Sequence, residues 1–403
     1  MRIALVTDCY WPRINGVTVS VQTYRDELIR QGHEVLVLCP EYPESWGPSP
    51  KEPTVRRFRS MANSISKEDR LIRLSAFPAF IAALEQFNPD VVHINTEMSA
   101  NFAARSYAKL RGYPVLVTSH TDYEYYASNY ISFIPPGPLR AIVRFLMRSI
   151  YRSADVIITP SRTQQQKLKA YHIRKRFIVI PTGIDSAFSR KTPEEVAAYR
   201  ARLNERFPAL KGKRILLFAG RLTIEKDIKF LVPVLRRLRS CRDDVALLFA
   251  GDGPAREQTE AYARRAGVAD ACVFMGYVER GELPYVYSVA EVFVFPSKTE
   301  TQGLCTIEAM GAGVPVVAIG EMGTRDVMRG DNGGFMVGND KAEFAQAVAR
   351  LLDDPRLRER KSAEAEAWAR QYRVEVTTER LARLYKVVAA QHSRRLALRS
   401  GIL

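Results

Sequence analysis

Two glutamates separated by seven residues, Glu300 and Glu308, are the side chains whose types and spacing most directly indicate chemistry. The apolar run at 292–296 predicts a buried parallel strand before them, and residues 309–313 continue a tightly packed helix. Glu300 therefore falls on the strand-to-helix loop, and Glu308 about one turn inside the helix. Such a unit directs unpaired N–H groups and the positive end of the helix dipole at a ligand above the sheet, and phosphate suits that place.

The two carboxylates suit a nucleotide sugar, because carboxylates accept hydrogen bonds from hydroxyl groups beside the phosphates. One glutamate would bind the sugar ring and the other the ribose. Glu308 is expected to lean back toward the start of its helix, since helical side chains tilt that way. An ordinary helix start, in which acidic residues favour the dipole, is the alternative interpretation.

Three further loops are predicted to follow buried strands at the ligand-binding edge of a sheet. Arg221 and Lys226 flank one strand-to-helix turn, where two cations could clamp a diphosphate; an exposed surface pair is the alternative. His120 follows another strand and could hydrogen-bond a sugar hydroxyl or position an acceptor, unless it is a structural histidine bonded to loop backbone. Gly16 opens a helix after the first strand and would let the backbone approach a phosphate, or it is a turn glycine.

Strands and helices alternate regularly along the 403 residues, and the series occurs twice. A chain of this length, with 46% hydrophobic and 26% charged residues, is typical of a globular protein with two domains. The alternation predicts two doubly wound, Rossmann-like α/β domains with parallel sheets that face a cleft. They are expected to span residues 1–187 and 188–375, and a helical segment at 376–403 is expected to pack back on the first domain.

The chain opens directly on a predicted strand and has no signal segment and no long uncharged apolar run, so a cytoplasmic location is expected. It contains no Asp-x-Asp pair and no His/Cys cluster with metal-ligand spacing. The sequence therefore predicts chemistry without a bound metal.

A net charge of +16 makes a polyanionic partner a candidate, either nucleic acid or an anionic membrane face. Ten Lys/Arg against one acidic residue lie between 139 and 176. Arginines at every fourth position would form one basic stripe beside apolar residues on a helix, a pattern typical of a membrane-surface helix: Arg140, Arg144, Arg148 and Arg152, beside Ile142, Val143, Leu146 and Ile150. The alternative is a core-packed helix with solvated arginines. Nucleic-acid binding is disfavoured, because aromatic residues do not interleave with the basic cluster.

Taken together, these motifs resemble retaining glycosyltransferases of the two-Rossmann-domain (GT-B) type, in family four, which carries Glu-x7-Glu. The similarity covers nearly the whole chain and rests on the glutamate pair, Lys226 and the motifs at 12–17, 32–35, 156–161, 180–185, 220–221 and 251–254. Three stretches, at 93–99, 119–126 and 299–304, look most like bacterial enzymes that glycosylate diacylglycerol.

By position, the resemblance implies donor-binding roles for Gly16, Arg221, Lys226, Glu300, Gly303, Leu304 and Glu308. Glu300 would hold the donor sugar and Glu308 the ribose. Arg221 and Lys226 would neutralise the diphosphate, and His120 would lie near the reacting sugar. Many relatives have two glycines where this chain has Asn-Gly at 15–16, so the phosphate role of that loop is the least supported.

The resemblance implies transfer of a hexose, glucose above all, from a nucleoside diphosphate sugar such as a UDP-sugar to a lipid such as diacylglycerol. The reaction would take place at the cytoplasmic membrane face, with retention of configuration and no permanently bound cofactor. A base pocket is expected near Tyr277 and Val278. One alternative is a GDP-mannose-dependent alpha-mannosyltransferase acting on a glycolipid, phosphatidylinositol or a polysaccharide precursor. Others are a same-fold enzyme with a soluble acceptor and a nucleotide-sugar epimerase.

Overall fold

The computed structural model describes residues 1–47, 52–63, 68–131 and 133–399. Two compact units make up the chain: Met1–Gly183 together with Val374–Leu403, and Ile184–Arg373. The sequence predicts domain boundaries after residues 187 and 375, and the chain passes from one unit to the other after residues 183 and 373. Residues 400–403 of the predicted terminal segment lie outside the described part of the chain.

The first unit contains nine strands and six helices before the chain enters the second unit, counted over the described residues. The strands are β1 (Arg2–Val6), β2 (Glu34–Pro40), β3 (Val55–Phe58), β4 (Ser60–Ala62), β5 (Arg70–Ile72), β6 (Val91–Ile94), β7 (Val115–Thr118), β8 (Val156–Thr159) and β9 (Arg176–Val179). The helices are α1 (Gly16–Arg30), α2 (Phe77–Phe87), α3 (Ser99–Arg111), α4 (Tyr123–Tyr130), α5 (Pro136–Tyr151) and α6 (Arg162–Ala170).

Seven of these strands form a parallel sheet in the order β3-β2-β1-β6-β7-β8-β9, and β4 and β5 form a separate antiparallel ribbon. Strands β6, β7 and β8 are buried along their whole length, as expected for parallel strands covered by helices on both faces. The strand order reverses direction between β1 and β6, so the loops after these strands meet at the edge where doubly wound sheets bind ligands.

The second unit repeats this architecture. Its strands are β10 (Arg214–Ala219), β11 (Val245–Ala250), β12 (Cys272–Gly276), β13 (Val292–Phe295), β14 (Val316–Ile319) and β15 (Gly334–Val337), in the parallel order β12-β11-β10-β13-β14-β15. Its helices are α7 (Pro193–Arg206), α8 (Leu231–Arg239), α9 (Arg256–Arg265), α10 (Leu283–Ser288), α11 (Leu304–Gly311), α12 (Met322–Val327), α13 (Lys341–Asp353) and α14 (Pro355–Ala369). The predicted fold class, two doubly wound parallel-sheet domains, is confirmed.

The chain then returns to the first unit as α15 (Val374–Arg399). This helix packs against α1 and adds buried residues to the core below β1, including Leu381 and Tyr385. The Tyr385 hydroxyl lies 2.6 Å from Nδ1 of His93, in the middle of β6. A side chain at Gly183 would collide with the backbone of Val374, so the two segments of the unit meet closely.

No helix in the described ranges combines the length and the apolar character that crossing a membrane requires.

Candidate active site

Lys226 and Glu300 form an ion pair between two loops of the second unit. Strands β10 and β13 are neighbours in the sheet, so the loops after them emerge side by side at its carboxyl edge. The Lys226 ammonium contacts the Glu300 carboxylate, and the Ser297 hydroxyl donates to the same oxygen at 3.2 Å. Burial lowers the pKa of Lys226, but the Glu300 carboxylate outweighs this effect and the net pKa is raised. The ammonium is therefore charged at neutral pH.

The loop that carries Arg221 and Lys226 rests on the backbone of the neighbouring loop after β11. A Cβ at Gly251 would lie 2.0 Å from the carbonyl oxygen of Gly220, and one at Gly253 would lie 2.5 Å from that of Leu222. Both glycines also have a positive φ. Only glycine allows two backbones to approach this closely. The Gly-Asp-Gly sequence therefore lets the loop after β11 pack directly against the loop that carries Arg221 and Lys226.

Glu300 and Gly303 lie where the loop after β13 enters α11. Gly303 has φ +83° and ends the loop directly before the first helical residue, Leu304. The carbonyl oxygen of Glu300 accepts a hydrogen bond of 2.7 Å from the Gly323 amide, at the start of α12. A side chain at Gly323 would collide with residues 301–302, so this loop is clamped by backbone packing. Because this loop leads into the first turn of α11, the positive end of the helix dipole is directed toward the loop that carries Glu300.

Glu308 lies in the second turn of α11 and is almost fully buried. One of its carboxylate oxygens accepts a hydrogen bond of 3.1 Å from Arg280, and the other accepts one of 3.0 Å from the Tyr287 hydroxyl. Burial raises the pKa of Glu308, and the Arg280 charge acts in the opposite direction. Glu308 is thus a buried carboxylate with one fixed donor on each oxygen.

The two residues of the expected base pocket lie on the loop after β12. Tyr277 is 57% exposed, whereas Val278 is buried and packs in the hydrophobic core of the second unit. Arg280 follows them on the same loop. Because Val278 packs in the core, its side chain has little surface left to line a base pocket. Arg221 is exposed on the loop after β10.

His120, in the first unit, follows β7 at the carboxyl edge of the sheet. Its Nε2 lies 3.3 Å from Oδ1 of Asn95, and the Asn95 amide nitrogen donates to the His93 carbonyl. Burial lowers the pKa of His120 to about 4 and that of His93 to about 3. Both rings are therefore neutral at pH 7, and His120 can exchange hydrogen bonds with a hydroxyl without carrying charge.

A buried carboxylate, Glu97, lies on the loop after β6. Its Oε1 accepts a hydrogen bond of 2.6 Å from the Tyr151 hydroxyl at the end of α5, and Tyr123 of α4 also hydrogen-bonds it. Burial raises the pKa of Glu97 to about 7. This residue therefore ties α4 and α5 to the same edge of the sheet.

Gly16 is the first residue of α1, and the space where its side chain would lie is open. Asn15 caps the helix, because its side-chain oxygen accepts a hydrogen bond of 2.9 Å from the Thr18 amide. Arg13, on the same loop, pairs with Asp69, next to the β4–β5 ribbon. The open side of Gly16 leaves room for a ligand, whereas the neighbouring loop residues are held by protein contacts.

The basic stripe differs in part from the expected one. Arg140, Arg144 and Arg148 lie on α5, but Arg152 lies just beyond its end. Arg144 is bound to Glu124 at 2.9 Å and lies over the Tyr171 ring. It therefore takes part in a local network rather than in a uniformly solvated stripe.

The apolar set expected beside the arginines is divided between two faces of α5. Val143 is buried with Leu139, Met147 and Tyr151 against the core. Exposed apolar side chains form the outward face, which we call the α5 surface: Ile142, Phe145 and Leu146. The helix thus packs on the core and also presents apolar groups to solvent.

Within the described residues, no group of three or more His, Cys, Asp or Glu side chains is arranged to hold a metal ion. Sequence reasoning missed Arg280 and Tyr287, the partners of Glu308, and Ser297, which contacts Glu300 together with Lys226. The only signal for Arg280 was its place after a strand at the ligand-binding edge. Tyr287 and Ser297 lie in ordinary apolar or loop contexts.

Two family models match the chain: Glycosyltransferase Family 4 over residues 14–188, and Glycosyl transferases group 1 over residues 200–368. The alpha-monoglucosyldiacylglycerol synthase of Streptococcus pneumoniae is 31% identical, over 79% of this chain and 71% of its own. The GDP-mannose-dependent alpha-mannosyltransferase of Mycolicibacterium smegmatis is 30% identical, over 98% of this chain and 100% of its own.

The structure of Anabaena Alr3699/HepE in complex with UDP is similar in fold, with a TM-score of 0.76 and 17% identity over 96% of this chain and 100% of that chain. The similarity of sequence and the similarity of fold both extend across the two units. The chain therefore belongs to the glycosyltransferases, with a Glycosyltransferase Family 4 region followed by a Glycosyl transferases group 1 region.

Proposed function

We propose that this enzyme transfers a hexose, glucose above all, from a nucleoside diphosphate sugar to a lipid acceptor such as diacylglycerol. The observation that carries the proposal is the Lys226–Glu300 pair beside the start of α11. A cation, a hydroxyl-binding carboxylate and a helix dipole lie together at the carboxyl edge of one sheet, which suits a charged diphosphate next to a sugar ring.

Each candidate site residue of the second unit has a role in this proposal. Glu300 accepts hydrogen bonds from sugar hydroxyls, and Glu308 accepts them from the ribose. Lys226 and Arg221 offset the charge of the diphosphate, together with the amides near Gly303 and Leu304. For the first unit, the family resemblance implies that Gly16 approaches the phosphate and that His120 lies near the reacting sugar.

The reaction breaks the bond between the anomeric carbon and the donor phosphate oxygen and forms one between that carbon and an acceptor oxygen. The nucleoside diphosphate leaves with the bonding electrons, and the acceptor hydroxyl gives its proton to the departing phosphate. Because the acceptor attacks from the face that the phosphate leaves, configuration is retained. The Lys226 ammonium stabilises charge that develops on the leaving group, so chain residues supply this stabilisation.

The relatives support two donors. One similar protein is named for monoglucosyldiacylglycerol synthesis and another for GDP-mannose dependence, at nearly equal identity. We place UDP-glucose first because three sequence stretches look most like diacylglycerol-glycosylating enzymes. Transfer of mannose from GDP-mannose to a glycolipid, phosphatidylinositol or a polysaccharide precursor is the second candidate.

A lipid acceptor requires contact with a membrane, and the α5 surface suits such contact. Ile142, Phe145 and Leu146 are each at least 46% exposed, and Arg140 and Arg148 flank them. Exposed apolar groups beside arginines favour insertion at the headgroup level of an anionic membrane. We therefore expect peripheral association with the cytoplasmic face of the cell membrane.

A donor panel tests the proposal directly. The purified protein is incubated with UDP-glucose, UDP-galactose, UDP-N-acetylglucosamine or GDP-mannose and a total lipid extract, and products are read by mass spectrometry. We expect a hexose added to one lipid class with one donor. Hydrolysis or epimerisation of the donors in the presence of the lipid extract, without a new glycolipid, would contradict the lipid acceptor.

A further inference from the structure

Arg280 is the described residue that brings a positive charge to the buried Glu308 carboxylate. Its Nη1 donates to Glu308 Oε1 at 3.1 Å, and the Tyr287 hydroxyl donates to Oε2 at 3.0 Å. Glu308 itself is 3% exposed. A carboxylate so far from water stays ionised only with a charged or hydrogen-bonding partner, and Arg280 provides both.

Aromatic packing holds Arg280 in this position. Its guanidinium lies over the Phe188 ring at 5.0 Å from the ring centroid, and Phe188 packs edge-on against Tyr287. A Cβ at Gly311 would lie 2.5 Å from the Phe188 carbonyl oxygen, so α11 is pressed against the Phe188 segment. Arg280, Phe188, Tyr287 and Glu308 therefore pack together from four separate segments of the second unit.

Each oxygen of an ionised carboxylate can accept more than one hydrogen bond. Arg280 and Tyr287 each take one position on separate oxygens of Glu308, so both oxygens keep acceptor capacity. Two neighbouring hydroxyl groups, such as those of a ribose, match such a carboxylate. A protonated Glu308 would lose one of these acceptor positions.

We infer that Arg280 is a positioning residue that favours the ionised form of Glu308 and orients it to accept two hydrogen bonds from the ribose of the donor. This inference rests on the proposed nucleoside diphosphate sugar donor. Its chemical consequence is that donor affinity depends on a residue outside the Glu-x7-Glu motif, and that the enzyme distinguishes ribonucleotides from deoxyribonucleotides through this pair.

The charged and titratable groups around Glu308 define what a substitution changes. Burial raises the pKa of Glu308 above its ordinary value, and the Arg280 charge and the Tyr287 hydrogen bond offset this increase only in part. Cys305 is the other titratable neighbour, and burial raises the pKa of its thiol to about 12, so it stays neutral. Without Arg280, a larger fraction of Glu308 is protonated as pH falls, and ribose binding weakens in the same direction.

The test is calorimetric titration of the 403-residue protein with UDP and with GDP, and with their 2′-deoxy forms, at pH 6, 7 and 8. For Arg280→Met we expect at least tenfold weaker binding of the ribonucleotide, a steeper loss toward pH 6 and a smaller preference over the 2′-deoxy form. Arg280→Lys should retain much of the affinity, because it keeps the charge.

Lys191→Met is the matched control, because Lys191 also lies over an aromatic ring, that of Tyr285 on α10. It should leave nucleotide binding unchanged. If Arg280→Met fails to fold, Tyr287→Phe removes the second donor and should give a smaller loss with the same pH direction. A pH profile and a deoxy preference equal to wild type in these variants would overturn the inference. Absence of UDP and GDP binding in the wild type would instead overturn the proposed function.

Discussion

Lys226 contacts Glu300 across two loops that follow neighbouring strands, 74 residues apart in the chain. The contact depends on the order of the sheet, because β10 and β13 pair directly although β11 and β12 lie between them in sequence. A cation and a carboxylate are thereby held at one place without any local sequence motif that contains both.

Replacement of either partner should remove most of the transfer activity and leave the fold intact. We expect Lys226→Ala or Glu300→Ala to lower kcat by about 100-fold or more, because each removes a group placed for the developing charge or the sugar hydroxyls. The double variant should be little worse than either single one, since the two act as a unit. Radiolabelled hexose transfer measures the rate, and circular dichroism checks the fold.

Lys298→Ala is the control for this pair. Lys298 forms an ion pair of 3.0 Å with Asp227, on the same two loops. Its loss should change kcat by no more than about twofold, as for an ordinary surface ion pair. Near-normal turnover in both Lys226→Ala and Glu300→Ala would contradict the assignment of the site.

Substitution of Gly253 should damage both stability and donor binding. A Cβ there would lie 2.5 Å from the Leu222 carbonyl oxygen, next to Arg221, and φ is +156°. We expect Gly253→Ala to lower the free energy of unfolding by about 2 kcal/mol or more and to weaken nucleotide binding. Gly281→Ala, where nothing lies within 4 Å of the added Cβ, should leave stability nearly unchanged. Equal melting temperatures for Gly253→Ala and Gly281→Ala would contradict this prediction, because the two loops would then accommodate the added Cβ at little cost in stability.

Glu97 should make stability depend on pH in a defined direction. Its pKa is about 7 in the folded protein, above the ordinary value of 4.5, so the folded state holds the proton more tightly. Its contribution to stability is therefore present at low pH and is lost as pH rises from 4.5 through 7. We therefore compare the unfolding free energy of Glu97→Gln with that of wild type at each pH. This difference should favour the variant more at pH 8 than at pH 5, by about 2–3 kcal/mol at most.

Urea unfolding of wild type and Glu97→Gln at pH 5 and pH 8 measures this difference. Glu34→Gln is the control, because Glu34 is an exposed carboxylate in a loose ion pair with Arg2. Its effect should be small at both pH values. The same stability difference at pH 5 and pH 8 for Glu97→Gln would mean that Glu97 is ionised throughout this range.

The α5 surface should govern binding to anionic vesicles. We expect the triple variant Ile142→Ser, Phe145→Ser, Leu146→Ser to reduce co-sedimentation with phosphatidylglycerol-containing vesicles by about tenfold or more, since the apolar groups lose their contact with lipid. Wild-type binding should also weaken as salt rises, because the arginine contribution is screened. Leu110→Ser, which changes an 81% exposed residue of α3, is the control and should retain binding. Wild-type levels of binding by the triple variant would exclude this surface.

The fold and the order of the loops could be predicted from sequence because parallel strands leave a strong local signal. The apolar run at Val292–Phe295 is a buried strand, and α11 begins at Leu304, which places Glu300 on the loop and Glu308 in the helix. Hydrophobic runs and glycines suffice for such placement.

The partners of Glu308 could not be predicted in this way. Arg280 lies 28 residues before Glu308, in a charged stretch that resembles a solvated turn. Whether a long side chain from such a turn reaches a buried carboxylate depends on how α10 and α11 pack, which no local pattern records.

For α5, periodicity shows that the helix has apolar positions but does not decide which of them face the core. Val143 is buried, whereas Ile142 and Leu146 are exposed. Only the packing of the surrounding helices settles this division. The expected apolar set beside the arginines is therefore divided between a buried and an exposed face of the helix.

The return of α15 to the first unit has a consequence for biosynthesis. Residues that cover β1 and hydrogen-bond His93 belong to α15, which follows the second unit in sequence, so they leave the ribosome after the whole second unit. Residues 184–373 are continuous and can fold as they emerge, while the unit that is translated first waits for α15. A nascent chain paused near residue 373 would thus expose apolar surface on the first unit, and we expect a chaperone to bind there.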